Sequence, residues 1–309
     1  STPDRAVMQR DAVEATYKSR EIEGFLDLHF YRKVGFQLAR FFAWAGFTPN
    51  GVTALGTLIG IAAGHLYFYR DLTTNVVGMC LHVFANAMDN ADGQLARLTN
   101  RYSPNGRVLD AIGDNLVFAS VYVHLCLRFV AEGGSRGVWV VALLAGLSHR
   151  WQSAVAEFCR DAYLRFAIGK LLSLEIPGDL RRQYEAVTWS AHFFQKLLLK
   201  LHLGYVVEQE MLCPGLMRLE ERARTTFVEG VPQDFRERYR QLNRAMIYFY
   251  FLFRTNTRML LLFLLLFLAQ PAWYFAVELT VLNFLLVILA FRQNAICRRL
   301  QPLVTEHVY

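Results

Sequence analysis

Leu72-Thr-Thr-Asn-Val-Val-Gly-Met-Cys-Leu-His-Val-Phe-Ala-Asn-Ala-Met-Asp89-Asn-Ala-Asp92-Gly93-Gln-Leu-Ala96-Arg97 is the stretch that decides the fold. An apolar run, Leu72 to Met88, ends in two carboxylates and then an arginine. Further on, Asp110 and Asp114 open a second apolar run, Asn115 to Leu127. Residues three or four apart share one face of a helix, so Asp89 pairs with Asp92 and Asp110 with Asp114. A carboxylate beside hydrocarbon is costly unless something neutralises it. Two antiparallel helices joined by Leu98–Gly106 would bring all four acids together. Alone, such a group repels itself and holds protons; with one or two hard divalent cations it becomes an all-oxygen metal site.

The small residues indicate what else must fit. Gly93 lies one turn after Asp89, Ala96 one turn after Asp92, and Gly106 one turn before Asp110. These positions let a bulky group approach the helix backbones. Arg97 adds a fixed cation suited to phosphate oxygens. Carboxylates, divalent ions and an arginine describe a pyrophosphate site, because Mg²⁺ is usually shared between carboxylates and substrate phosphates.

The pattern D-x2-D-G-x2-A-R-x8-G-x3-D-x3-D, filled at every position from Asp89 to Asp114, resembles the signature of the CDP-alcohol phosphotransferase family. Thr48-Pro49-Asn50-Gly51-Val52-Thr53 resembles the way that family opens its first membrane helix. The likeness runs from about Gly35 to Arg160 and, more weakly, over the last two hydrophobic segments. It implies transfer of a substituted phosphate from a CDP-linked donor to an alcohol hydroxyl, with release of CMP. It further implies that Asp89, Asp92, Asp110 and Asp114 hold two divalent ions, Mg²⁺ or Mn²⁺, with Asp114 as general base. Asn50, Gly51, Val52, Thr53, Gly93, Ala96, Arg97, Ser103 and Gly106 would meet the nucleotide or its diphosphate. The expected partners are the donor, the acceptor alcohol, membrane lipids and a second copy of the chain in a homodimer, with no nucleic acid. CDP-diacylglycerol is the favoured donor, since a basic middle region suits a phosphorylated polar acceptor. A CDP-amino-alcohol with a lipid alcohol is the alternative. Membrane prenyltransferases and divalent-cation transporters also place acids in helices. Prenyl transfer does not need the Gly93, Ala96-Arg97 and Gly106 frame, and Asp89 to Asp114 cluster at one surface rather than along a transport path.

Bulk properties agree with a membrane protein. The 309 residues are 54% hydrophobic with a net charge of +7, which suits a face opposed to anionic lipid. Five cysteines (Cys80, Cys126, Cys159, Cys213 and Cys297) show no paired spacing, so neither a disulfide framework nor a zinc site is expected. Ser1–Glu23 is polar and charged, so the first membrane helix is expected to serve as the insertion signal.

The expected fold is an all-α membrane protein with six transmembrane helices. Residues 1–50 form a cytosolic arm and an interfacial amphipathic helix, Phe25 to Trp44, with Arg32, Lys33 and Arg40 toward lipid phosphates. Residues 51–158 supply crossings one to four: Gly51–Tyr69, Leu72–Leu95, Val108–Leu127 and Val138–Phe158. Residues 159–254, punctuated by Pro177, Pro214 and Pro232, form a helical cytosolic insertion, read as a cap of amphipathic helices or as part of an acceptor pocket. Residues 255–292 hold crossings five and six, Thr257–Ala269 and Trp273–Phe291, and 293–309 a cytosolic tail. Basic residues gather in the arm, the Arg97–Arg107 loop, the insertion and the tail, so the active site is expected to face the cytoplasm.

Arg150 falls inside the fourth crossing, and Glu157 and Arg160 follow it. These are candidates for acceptor binding, Arg150 being either a substrate contact or the structural partner of an acid. Arg254 and Arg258 are expected to snorkel, and Glu278 to be structural. His65, His82 and His124 read as hydrogen-bonded packing residues.

Overall fold

The computed structural model describes residues 22, 24–102, 106–190 and 192–306, which form helices joined by turns and short loops and contain no strand. The Ser1–Glu23 arm, Ile22 apart, lies outside them. The chain divides into two compact units, one running up to Ala142 with Leu260–Tyr274, the other formed by Leu143–Met259 with residues from Phe275 onward.

The first unit begins with a π-helical turn, Asp27–Tyr31, leading into α1 (Arg32–Trp44). The aromatic sequence splits by face: Tyr31, Phe36 and Phe42 are buried, whereas Phe41 and Trp44 stay exposed at 54% and 82%. Gly46, at φ 76°, ends the segment. α2 (Pro49–Leu66) starts with Thr48 accepting from the Gly51 amide at 3.1 Å and with proline in its first turn, where no N–H is needed. α3 (Leu72–Thr99) is capped by Asp71, whose carboxylate accepts from the Thr74 amide at 2.7 Å. That bond holds the Asp71 carboxyl below its usual range. α3 stops where Asn100 adopts the left-handed conformation, φ 51° and ψ 34°, which asparagine tolerates better than most residues. α4 (Gly106–Ala131) follows.

The sequence suggests direct packing of α3 on α4. Among the described residues, both helices instead make their main contacts with α2. Small residues allow this. A Cβ on Gly64 would stand 2.6 Å from Ser120 Oγ and 2.9 Å from the Val121 amide nitrogen, and one on Gly113 would stand 2.4 Å from Thr57 Oγ1. At the far end from the aspartates, Arg128 is buried and donates to the carbonyls of Tyr67 (3.3 Å) and Tyr69 (3.0 Å) and to Asn75 Oδ1 (3.0 Å). This clasp satisfies carbonyls that the end of α2 leaves unpaired.

α5 (Val138–Tyr163) starts in the first unit, continues into the second and passes into a π-helical turn, Leu164–Ile168. The second unit then holds α6 (Pro177–Ala186), α7 (Phe193–Leu212), α8 (Pro214–Thr226), α9 (Gln233–Asn243) and α10 (Met246–Leu252). Each proline named from the sequence does mark a helix start: Pro177 and Pro214 begin α6 and α8, and Pro232 immediately precedes α9. α11 (Thr255–Phe267) is followed by α12 (Trp273–Val277), a π turn at Glu278–Leu282 and α13 (Asn283–Glu306) without a break. The expected tail is therefore a continuation of the last helix as far as Glu306.

Two described helices are long and apolar enough to cross a membrane, Leu109–Ala131 and Trp273–Thr305. A third candidate is the pair α10 and α11, bent by 52° where they meet. Arg258 does not snorkel. It is 2% exposed and ion-paired with Glu278, itself 0% exposed, while its Nη2 donates to Gln152 Oε1 at 2.7 Å. Gln152 Nε2 reaches Asn283 Oδ1 at 2.8 Å, and Asn283 donates to Ser148 at 2.9 Å.

Candidate active site

α3 and α4 each carry two of the motif's acids. Oxygens of Asp89, Asp92 and Asp110 all lie within 4.8 Å of one another, with Asp89 exposed, Asp92 buried and Asp110 half-buried. Asp114, one turn beyond Asp110 and exposed, stands close enough for its charge to act on Asp89. Three of the four acids expected to converge, Asp89, Asp92 and Asp110, do so. Three carboxylates gathered so tightly, one of them buried, form an anionic, all-oxygen donor set that suits a hard divalent cation.

α2 adds a side chain to this group. Thr53, 9% exposed, places its hydroxyl 2.5 Å from Asp92 Oδ2 and 3.1 Å from the Pro49 carbonyl. Val52 turns the other way and is fully buried in a cluster with Ala39, Phe42, Met88, Ala91 and Leu95, which fixes α2 against α1 and α3. Asn50 and Gly51 are half-buried in the first turn.

Gly93 and Ala96 are half-buried on α3, and Arg97 is exposed beside them. Among the described residues, a Cβ at Gly93 would meet only the Arg97 guanidinium, at 3.8 and 3.9 Å, which leaves room for a ligand beside that backbone. Gly106 is half-buried at the start of α4, and Ser103 lies outside the described residues.

Arg150, Glu157 and Arg160 belong to the second unit, and each is engaged there. Arg150 Nε donates to Glu208 at 2.9 Å, Tyr205 donates to Glu157 at 2.6 Å, and Arg160 donates to Asp161 at 3.1 Å. The histidines are hydrogen-bonded as expected. His65 Nδ1 lies 3.0 Å from His124 Nε2 across α2 and α4, and His82 Nδ1 lies 3.1 Å from the Tyr67 hydroxyl. Sequence reasoning treated Thr53 only as a nucleotide contact and missed its bond to Asp92. The two lie 39 positions apart, and no local pattern links them.

A sequence model of the CDP-alcohol phosphatidyltransferase family matches residues 46–166. The chain is 30% identical over 183 residues to the phosphatidylinositol phosphate synthase of Mycobacteroides abscessus, covering 55% of this chain and 79% of that protein. The chain belongs to the CDP-alcohol phosphatidyltransferase family. It is also 29% identical over 161 residues to the bifunctional IPC transferase and DIPP synthase of Thermococcus kodakarensis, over 52% of this chain and 35% of that one. With a probable CMP-forming cardiolipin synthase of Drosophila melanogaster it shares 27% identity over 159 residues, or 50% and 43% of the two chains. The chain thus spans about a third of the length of the Thermococcus relative. No solved structure matches it at a significant level. The family match contains both acid pairs and the Thr48–Thr53 segment, so the chain's family identity and its carboxylate cluster fall on the same residues.

Proposed function

We propose that this chain transfers a substituted phosphate group from a CDP-linked donor, CDP-diacylglycerol in the favoured case, to the hydroxyl of an acceptor alcohol and releases CMP. The observation that carries the reading is the convergence of Asp89, Asp92 and Asp110 oxygens within 4.8 Å, from two helices that also bear the family's motif. Asp89, Asp92, Asp110 and Asp114 would hold two ions, Mg²⁺ or Mn²⁺. Such ions, when bound, neutralise pyrophosphate charge and make CMP a better leaving group.

The chain's own residues do the rest. Arg97 takes diphosphate oxygens in the geometry its planar fork favours. The bare backbone at Gly93 and Ala96 admits the nucleotide, with Asn50 and Gly51 at its edges and Gly106 opposite; Ser103 is a nucleotide contact by its place in the motif alone. Asp114 accepts the proton of the acceptor hydroxyl as that oxygen attacks the β-phosphorus. One P–O bond forms to the acceptor, the P–O bond to CMP breaks, and CMP leaves with the bonding electron pair. The proton on Asp114 then passes to solvent.

The membrane setting belongs to the same proposal. α2, α3, α4, α5, α11 and the α12–α13 helix make six crossings, with the aspartates at the cytoplasmic surface. α1 lies in the interface, Phe41 and Trp44 toward hydrocarbon and Arg40 toward phosphate. The functional unit is a homodimer.

The test is a CMP-release assay on purified protein with Mg²⁺ and a panel of donor and acceptor pairs. CMP should appear with CDP-diacylglycerol and a polar acceptor such as an inositol or glycerol phosphate. CMP only with a CDP-amino-alcohol and diacylglycerol would move the donor assignment to the alternative. No CMP with any cytidine donor would remove the reading.

A further inference from the structure

We infer that Thr53 orients the Asp92 carboxylate for cation binding and is a positioning residue rather than a nucleotide contact; the inference rests on the metal-binding reading of the aspartates. Thr53 is on α2 and Asp92 on α3, and both are buried to 9% exposure. The Thr53 hydroxyl sits 2.5 Å from Asp92 Oδ2 and 3.1 Å from the Pro49 carbonyl oxygen. A hydroxyl has one proton to donate. An ionised carboxylate is the stronger acceptor, so the proton goes to Asp92. That bond fixes the orientation of a carboxylate that has an oxygen within 4.8 Å of oxygens of Asp89 and Asp110.

The hydroxyl itself is held in place. Thr48 caps α2 through the Gly51 amide at 3.1 Å, and a β-branched side chain has few rotamers in a helix. Val52, next in the chain, is locked in the core between α1 and α3. The start of α2 therefore dictates where the buried acid of the cluster points. Partners of metal ligands of this kind typically contribute 10–100-fold in metal affinity.

The experiment is Mn²⁺ titration of purified protein without nucleotide, followed by the EPR signal of the free ion, for the wild type, Thr53→Val, Thr53→Ser and Asp92→Asn. Thr53→Val should weaken Mn²⁺ binding about 10-fold or more, whereas Thr53→Ser, which keeps the hydroxyl, should stay within about threefold of wild type. In CMP release, Thr53→Val should raise the Mg²⁺ concentration for half-maximal rate more than it lowers the rate at saturating Mg²⁺. A purely structural role would lower the saturated rate and leave that midpoint unmoved. Thr53→Val binding Mn²⁺ like wild type while Asp92→Asn binds weakly overturns the role of Thr53 and leaves the metal site standing. Asp92→Asn binding like wild type overturns the metal reading itself. If Thr53→Val does not fold, Thr53→Ala carries the same expectation.

Discussion

Two groups of ionisable side chains sit within apolar helices here, and they are built on opposite terms. In the second unit, Arg258 and Glu278 are buried at 2% and 0% exposure, face each other, and are tied to Gln152, Asn283 and Ser148. His149 Nδ1 lies 3.8 Å from Glu278 as well. Opposite charges cancel, and the pair is shut away from solvent. In the first unit, Asp89, Asp92 and Asp110 bring like charges within 4.8 Å, with Asp114 nearby and open backbone at Gly93. A closed, neutral network fixes helices to one another. An unbalanced, partly exposed one calls for a cation and a ligand from outside.

Substitutions should separate the two. Asp89→Asn or Asp114→Asn should abolish CMP release, a loss beyond the roughly 100-fold typical of changes one shell farther out, while the protein stays folded and extractable. Near-normal turnover in either variant would remove the role assigned to that acid. Arg258→Met should do the reverse: it leaves Glu278 uncompensated and costs about 3–5 kcal/mol of stability. A thermal unfolding series in detergent would detect this, and Arg258→Met combined with Glu278→Leu should recover most of the loss. A double variant no more stable than the single one would mean that the network does more than hold helices.

Smaller effects sharpen the contrast. Gly64→Ala forces α2 off α4, because its Cβ would stand 2.9 Å from the Val121 amide nitrogen, and should cost about 1–3 kcal/mol of stability. An unchanged melting temperature would show that the two helices do not need this close approach. Arg150→Ala, which removes the 2.9 Å pair with Glu208, should leave the acceptor KM unchanged. A raised KM would return Arg150 to the acceptor site.

The smallest effect concerns pH. Asp179 is held below the usual carboxylate range by Arg224 at 2.7 Å and Arg182 at 2.6 Å. A depressed carboxyl contributes stability above its unfolded pKa of about 3.9 and loses it as pH falls through the lower folded value. Protease sensitivity around α6 and α8 should therefore rise only below about pH 4. A rise at pH 5–6 would assign it to other groups.

How much of this was legible in the sequence follows from the range of each interaction. Asp89 with Asp92 and Asp110 with Asp114 are local pairs whose helical spacing alone places them on one face, and the structure brings the two faces together. The start signals at Thr48-Pro49, Pro177 and Pro214 are equally local, and each falls at a helix start. What the pattern did not carry was tertiary. Nothing near Arg258 in the chain announces Gln152, 106 positions away, so an arginine at a helix start read as one that snorkels. Thr53 and Asp92 were each singled out, yet only the packing of α2 on α3 shows that one holds the other. Gly60, Gly64 and Gly113 were the available hint that α2 lies against α4, since small residues at helical spacing let backbones approach.

Divalent ions gathered by four aspartates of α3 and α4 are proposed to bind a cytidine diphosphate ester. Anomalous scattering from crystals grown with Mn²⁺ and a CDP-linked donor tests it most directly. Mn²⁺ density is expected among Asp89, Asp92, Asp110 and Asp114, with the diphosphate beside Arg97 and the nucleotide over Gly93. Mn²⁺ bound elsewhere, or those four carboxylates pointing apart with the donor absent, would contradict it.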